Sequence, residues 1–101
     1  MPTLFDPFRI GSLHLRNRMM RSATCERMSH PESGIPLPKL AELYRQLALG
    51  GIGLIVTGHA YVERGGKSHK EMAALDRDDV IPAWRDVIGP AQAEGARVMA
   101  Q

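Results

Sequence analysis

The chain has a single thiol, Cys25, within the run Ser22-Ala23-Thr24-Cys25-Glu26. Two further places carry groups able to hold a ligand: Thr57-Gly58-His59 and the glutamine Gln101. Each lies at or just past the carboxyl end of a stretch that reads as a β-strand, the edge at which α/β folds bind their ligands. Together they offer a thiol, three hydroxyls, the backbone of a glycine and a carboxamide. Such a set makes hydrogen bonds; it contains no complete acid–base machine. Cys25 and His59 have the residue types of a nucleophilic dyad, but residues on adjacent strand ends meet often by accident. Cys25, Glu26 and His59 lack the close ligand spacing of a zinc motif. Without further context Cys25 is a small buried hydrophobe.

The remaining candidates have structural readings. Gly50-Gly51-Ile52-Gly53 precedes a strand, so it is a helix stop and not a phosphate cradle. Gly65-Gly66 is a loop turn. Arg16, Arg18 and Arg21 form a small basic cluster expected to be ion-paired. Met19, Met20, Met28, Met72 and Met99 are core filler, and Trp84 faces the sheet from a helix. His14, His30 and His69 read as solvated and receive no role.

The elements that must position the site follow from hydrophobic period. Phe8 and Ile10, then Gly11-Ser12, then Leu13 and Leu15 alternate about a turn, which predicts a β-hairpin. Met19 to Ala23 is a short strand. Ser29 to Pro38 is rich in Ser, Pro and Gly and predicts a long loop, of the kind more often functional than filler. Leu40, Leu43, Tyr44, Leu47 and Ala48 share one helical face, with Pro38 suited to the first turn and Gly50-Gly51 to the stop. Ile52 to Thr57 is a continuous apolar run, as in a parallel strand buried on both faces. Gly58 to Met72 predicts a polar loop. Asp76, Asp78 and Asp79 suit the N-terminus of a helix carrying Ile81, Trp84, Val87, Ile88 and Ala91. Pro90 predicts a kink or break, with a second helical piece ending near Gly95. Arg97 opens a third strand that runs to the end of the chain. Strands separated by helical crossovers pair in parallel with right-handed connections. The fold class is therefore α/β. Three strands and two helices cover such a sheet poorly, and a (β/α) barrel needs about 250 residues, so the chain reads as the front portion of something larger.

Composition narrows the function. The 101 residues carry 13 Lys+Arg and 11 Asp+Glu, a net charge of +2 that is too small to argue for nucleic acid. With 44% hydrophobic and 24% charged residues the chain is an ordinary globular sequence. One cysteine excludes an intrachain disulfide framework. No run approaches the roughly 18 apolar residues of a membrane span, and the first residues lack a signal peptide's basic start and apolar core. The expected compartment is the cytoplasm.

Leu4-Phe5-x-Pro7, Leu15-x-Asn17-Arg18 and Ser22-Ala23-Thr24-Cys25 together resemble the opening of the old yellow enzyme family of FMN-dependent NAD(P)H:flavin oxidoreductases and ene-reductases. The resemblance continues through Gly51-Ile52-Gly53-Leu54-Ile55-Val56-Thr57-Gly58. It ends with Ala93-x-Gly95-Ala96-Arg97-Val98-Met99-Ala100-Gln101. It implies an eight-stranded α/β (TIM) barrel, of which residues 1–18 are the hairpin closing the bottom and residues 19–101 the first three strands and two helices. It also implies hydride transfer from NADH or NADPH to FMN, then to a small-molecule acceptor such as an α,β-unsaturated carbonyl, with room for a homo-oligomer of the full-length enzyme. By the same resemblance Ser22, Ala23 and Thr24 line the flavin through backbone atoms, and Cys25 sits beside its N5/O4 edge, where it tunes the flavin and touches substrate. Gly58 and His59 approach the flavin with their backbone, and Gln101 addresses its pyrimidine edge. Departures stand at Ala23, where many members have Pro, at Thr24, often Met, and at His59, usually Ala or Gly. The family's substrate-anchoring His/Asn or His/His pair, proton-donating Tyr and phosphate-binding loops belong to later strands. The competing readings are a non-catalytic fragment without flavin and a different FMN barrel, of the dihydroorotate- or glycolate-oxidising type.

Overall fold

The computed structural model describes residues 1–101. Its strands are β1 (Phe8–Ile10), β2 (Leu13–Leu15), β3 (Met20–Arg21), β4 (Leu54–Val56), β5 (Ala60–Tyr61), β6 (Ala73–Ala74) and β7 (Arg97–Met99). Helix α1 (Pro38–Leu49) lies between β3 and β4, and α2 (Ile81–Ala93) between β6 and β7. Short 3-10 turns occupy Arg64–Gly66 and Asp78–Val80.

The alternating N-terminal segment forms the expected hairpin, with Phe8 opposite Leu15 and Ile10 opposite Leu13. The strands that follow build a three-stranded parallel sheet in the order β3-β4-β7. Met20 pairs with Leu54, and Ile55 with Val98. These strands are shorter than the apolar runs suggest. Asn17 is the reason at one end: its Nδ2 donates to the Gly51 carbonyl (2.6 Å) and its Oδ1 accepts from the Met19 N–H (3.1 Å). A Cβ on Gly53 would lie 2.5 Å from that Oδ1, so the chain enters β4 only after a close crossing that glycine permits.

The two helices pack against each other. Leu40, Tyr44 and Ala48 of α1 and Trp84, Val87 and Ala91 of α2 join Ile55 in one buried core. The Trp84 indole N–H donates to the Ala74 carbonyl (2.8 Å), which satisfies its polar atom inside that core.

Four sequence expectations change. α2 runs unbroken through Pro90. Burial of Trp84, Val87 and Ala91 on either side outweighs the hydrogen bond that the proline removes, and Gly89 has no Cβ to meet the pyrrolidine ring. The acidic residues before α2 do not cap it with a side chain; Asp76 and Asp79 instead pair with Arg77, at 2.9 and 2.6 Å. The stretch from Gly58 to Met72 is not wholly loop, because Ala60–Tyr61 forms β5 and pairs in parallel with β6. Of the basic cluster only Arg21 is ion-paired, to Glu26. Arg18 stacks over the Phe8 ring, 4.9 Å from its centroid. Arg16 donates to main-chain carbonyls: Ala48 (2.7 Å) and Ile52 (2.8 Å) through Nη2, and Glu94 (2.7 Å) through Nη1. It thereby ties together the C-terminal ends of both helices, adding a donor to the Ala48 carbonyl, which already accepts from the Gly51 N–H (3.0 Å), and supplying one to the Glu94 carbonyl. No helix is long and apolar enough to cross a membrane.

Candidate functional site at the carboxyl edge of the parallel sheet

Parallel pairing puts the carboxyl ends of β3, β4 and β7 along one edge. The chain leaves that edge as Ser22–Glu26, Thr57–His59 and Ala100–Gln101, so the three stretches singled out by type lie side by side. Hydrogen bonds tie them together. The Gln101 N–H donates to Thr57 Oγ1 (3.2 Å), and the Ala60 N–H donates to the Gln101 carbonyl (3.0 Å). The Gly58 N–H donates to Glu26 Oε1 (3.1 Å), and within the first stretch Thr24 Oγ1 donates to the Ser22 carbonyl (3.1 Å).

Gly58 is buried where two of these stretches meet. A Cβ there would stand 2.6 Å from the Thr24 carbonyl oxygen and 2.7 Å from Glu26 Oε1. The first obstacle is backbone and cannot swing away, so the close approach of the two strand ends requires glycine.

Glu26 is the hub beneath the edge. Its Oε1 accepts from the Tyr44 hydroxyl (2.9 Å) and the Gly58 N–H (3.1 Å). Its Oε2 accepts from Arg21 Nη1 (2.8 Å), which also donates to the Val56 carbonyl (3.0 Å). The Glu26 side chain is only 8% exposed and that of Arg21 15%. Burial, reinforced by the Glu26 carboxylate, pushes the Tyr44 hydroxyl far above the ordinary tyrosine value, so it stays a donor. These commitments remove Glu26 from the candidate ligand set with Cys25 and His59.

His69 enters instead, and this corrects its reading as a solvated residue. Its side chain is 13% exposed. Its Nε2 lies 2.9 Å from His59 Nε2 and 3.4 Å from Cys25 Sγ. The two imidazole rings are tilted by 32° with centroids 5.1 Å apart. On the far side His69 Nδ1 is buried without a hydrogen-bond partner, 3.8 Å from Glu71 Oε2. Burial lowers the His69 pKa below its ordinary value, and Arg27 and His59 lower it further. No periodicity marks His69. The β5–β6 pairing folds its loop back over the end of β4, and two-residue strands leave no pattern to read. His14 and His30 are exposed, as expected.

Above this framework Ser22, Thr24, Cys25 and Gln101 are exposed, Ala23 and His59 half-buried. The exposed groups are uncharged and mix donors with acceptors. That donor set fits the edge of a neutral polar heterocycle such as isoalloxazine, and Gln101 can donate and accept at once.

With that geometry in view, similarity identifies the class. Residues 3–101 match the family model of NADH:flavin oxidoreductases and NADH oxidases, and the chain belongs to that family. It is 41% identical over 101 residues to a metal reductase of Desulforamulus reducens, across 100% of this chain and 15% of that protein. It is 31% identical over 100 residues to the 4,4'-dithiodibutanoate disulfide reductase of Rhodococcus erythropolis, across 99% of this chain and 24% of that protein. Among solved structures, 2-naphthoyl-CoA reductase superposes with a TM-score of 0.91 at 28% identity, over 97% of this chain and 15% of that one. Morphinone reductase superposes with a TM-score of 0.88 at 26% identity, over 100% of this chain and 27% of that one. The Trypanosoma cruzi old yellow enzyme shares the fold, with a TM-score of 0.88 at 20% identity over 97% of this chain and 26% of that one. The chain therefore spans 15% and 24% of the lengths of the two curated relatives.

Proposed function

We propose that the chain supplies the first three strands of an FMN-dependent barrel oxidoreductase, reduced by NADH or NADPH and passing electrons to a small-molecule acceptor of the α,β-unsaturated carbonyl type. The observation that carries this reading is the convergence of Ser22–Cys25, Gly58–His59 and Gln101 on one sheet edge, in a chain of the NADH:flavin oxidoreductase family. Bound FMN would accept and return hydride. The residues of this chain bind and orient it. Ser22, Ala23 and Thr24 line the ring through their backbone, and Gly58 and His59 close on it from the next strand end. The Gln101 carboxamide serves the pyrimidine edge, donating and accepting there. The Cys25 thiol, a weak and polarisable donor, stands beside the reacting edge and touches the acceptor. The compartment we propose is the cytoplasm, where an exposed unpaired thiol such as Cys25 stays reduced.

The test is Gln101→Ala in the full-length protein. Losing one partner of a hydrogen-bonded polar edge costs about 1–3 kcal/mol, which weakens FMN binding by roughly 5- to 150-fold. Dialysis against FMN reads this directly. Unchanged retention removes Gln101 from the site and, with it, the strongest side-chain contact of the proposal.

A further inference from the structure

The three side chains Cys25, His59 and His69 come from three separate places: the end of β3, the end of β4 and the loop between β5 and β6. Their ligand atoms nonetheless lie within 4.8 Å of one another. We propose that they form a binding site for a thiophilic divalent transition metal ion of the zinc class. The proposal shares Cys25 and His59 with the flavin reading but needs only these side chains and their supports, so it is tested in both flavin states.

The donor set is one sulfur and two imidazole nitrogens, which selects borderline-soft ions over calcium or magnesium. Zinc binds sulfur at about 2.3 Å and nitrogen at about 2.0–2.1 Å, so tetrahedral neighbours stand roughly 3.3–3.6 Å apart. Cys25 Sγ and His69 Nε2 already stand at 3.4 Å, and the two Nε2 atoms at 2.9 Å. Side-chain shifts of about 1 Å bring all three onto one ion. Three protein ligands leave the fourth position open, as in zinc sites that hold water or substrate. Next to them a cavity of about 10 Å³, lined in part by His59 and His69, has room for one water.

The support around the set has the form that metal sites use. A ligating histidine donates its other ring N–H to a carboxylate, which fixes its tautomer and orientation. His69 Nδ1 is the buried ring nitrogen without a partner, and it faces Glu71 Oε2 at 3.8 Å. An ion on Nε2 leaves the ring proton on Nδ1 and draws it toward Glu71, so metal binding satisfies the orphan atom. Without metal, the 2.9 Å contact between the two Nε2 atoms holds by one shared proton. The backbone holds the ligands in place: the Ala60 N–H bond to Gln101 fixes the residue after His59, and the Met72 N–H donates to the His69 carbonyl (3.3 Å). Glu26 is excluded because both its oxygens are committed.

Cobalt(II) is the probe, titrated into the full-length protein with flavin bound and again after flavin removal. The expected result is one equivalent of cobalt with tetrahedral d–d bands, at longer wavelength than flavin absorption, and displacement of that cobalt by zinc. Cys25→Ser and His69→Gln each abolish the bands, while Glu71→Gln weakens binding by about 10- to 100-fold. Circular dichroism and the melting temperature of the variants without metal verify folding, and zinc raises the melting temperature of the parent and, at higher zinc concentration, of Glu71→Gln, but not of Cys25→Ser or His69→Gln. The absence of tetrahedral cobalt bands in both flavin states overturns the proposal. So does a band that survives loss of Cys25 or His69 in folded protein.

Discussion

Removal of Glu26 tests the framework on which the whole edge rests. Its carboxylate takes three donors at once, from Tyr44, Gly58 and Arg21, with the side chain 8% exposed. Glu26→Ala leaves the Arg21 guanidinium with only the Val56 carbonyl, and the buried Tyr44 hydroxyl and Gly58 N–H with nothing. Breaking a largely buried pair from one side costs about 3–5 kcal/mol. The expected loss falls in that range because Arg21 is itself only 15% exposed. Tyr44→Phe deletes one hydrogen bond to a carboxylate that keeps its other two, so it costs less, about 1–2 kcal/mol. The informative quantity is the coupling. In the Glu26→Ala background the Tyr44 hydroxyl has no acceptor, so Tyr44→Phe becomes neutral or slightly stabilising there. The double-mutant cycle then closes with a coupling of about 1–2 kcal/mol. Urea unfolding of the full-length protein, followed by circular dichroism, measures all four corners. A Glu26→Ala cost below about 1 kcal/mol, or the same Tyr44→Phe cost in both backgrounds, refutes the network as a stabilising unit.

Gly58→Ala drives a methyl into the Thr24 carbonyl, whose oxygen a Cβ would meet at 2.6 Å; it should cost about 1–3 kcal/mol in unfolding and loosen the strand-end contact enough to lower flavin retention. His69 gives a pH dependence whose sign follows from its lowered folded pKa. Above about pH 6.5 both states are neutral. As pH falls below that value the unfolded chain takes up a proton that the folded chain resists, so stability declines until the folded His69 is protonated too. Melting curves of chelator-treated protein should show this decline, and His69→Gln should reduce it; an unchanged decline assigns it elsewhere. The 101-residue chain expressed by itself should self-associate, because β3 and β7 are open edges and Phe8, Ile10, Met20 and Met99 are exposed apolar residues beside them. Size-exclusion chromatography decides this, and a sharp monomer peak with cooperative unfolding counts against it.

What could be read from residue order was whatever local period encodes. The alternation of Phe8, Ile10, Leu13 and Leu15 specifies a hairpin, and the spacing from Leu40 to Ala48 specifies α1, because each pattern matches the repeat of its own element. The apolar run ending at Thr57 implies parallel pairing, and that pairing alone brings Cys25, Gly58 and Gln101 to one edge. What could not be read depends on partners far away in sequence. β5 and β6 are two residues each, and only their mutual pairing makes them strands. His69 reaches Cys25 and His59 through that pairing, so nothing within its own loop announces it. The unbroken α2 is a related case. The local cost of Pro90 is visible in sequence, whereas the burial of Trp84, Val87 and Ala91 that outweighs it is tertiary. The capping role expected of Asp76 and Asp79 failed to Arg77, an adjacent cation that captures both carboxylates.

The Arg16 clamp bears on the order in which this chain can become native. Arg16 lies just past the hairpin, yet its acceptors are the carbonyls of Ala48, Ile52 and Glu94, the last 78 residues further on. Contacts of such separation carry a large loop-closure entropy and form after local structure. During synthesis the hairpin emerges first and α2 near the end of this stretch, so the earliest segment must wait for the latest before its guanidinium is fully engaged. Until then the Glu94 carbonyl at the end of α2 lacks this donor and the strand order β3-β4-β7 is incomplete. Arg16 therefore acts as a latch on assembly: it engages only when both crossovers have been laid down, and it then joins the start of the chain to the ends of both helices.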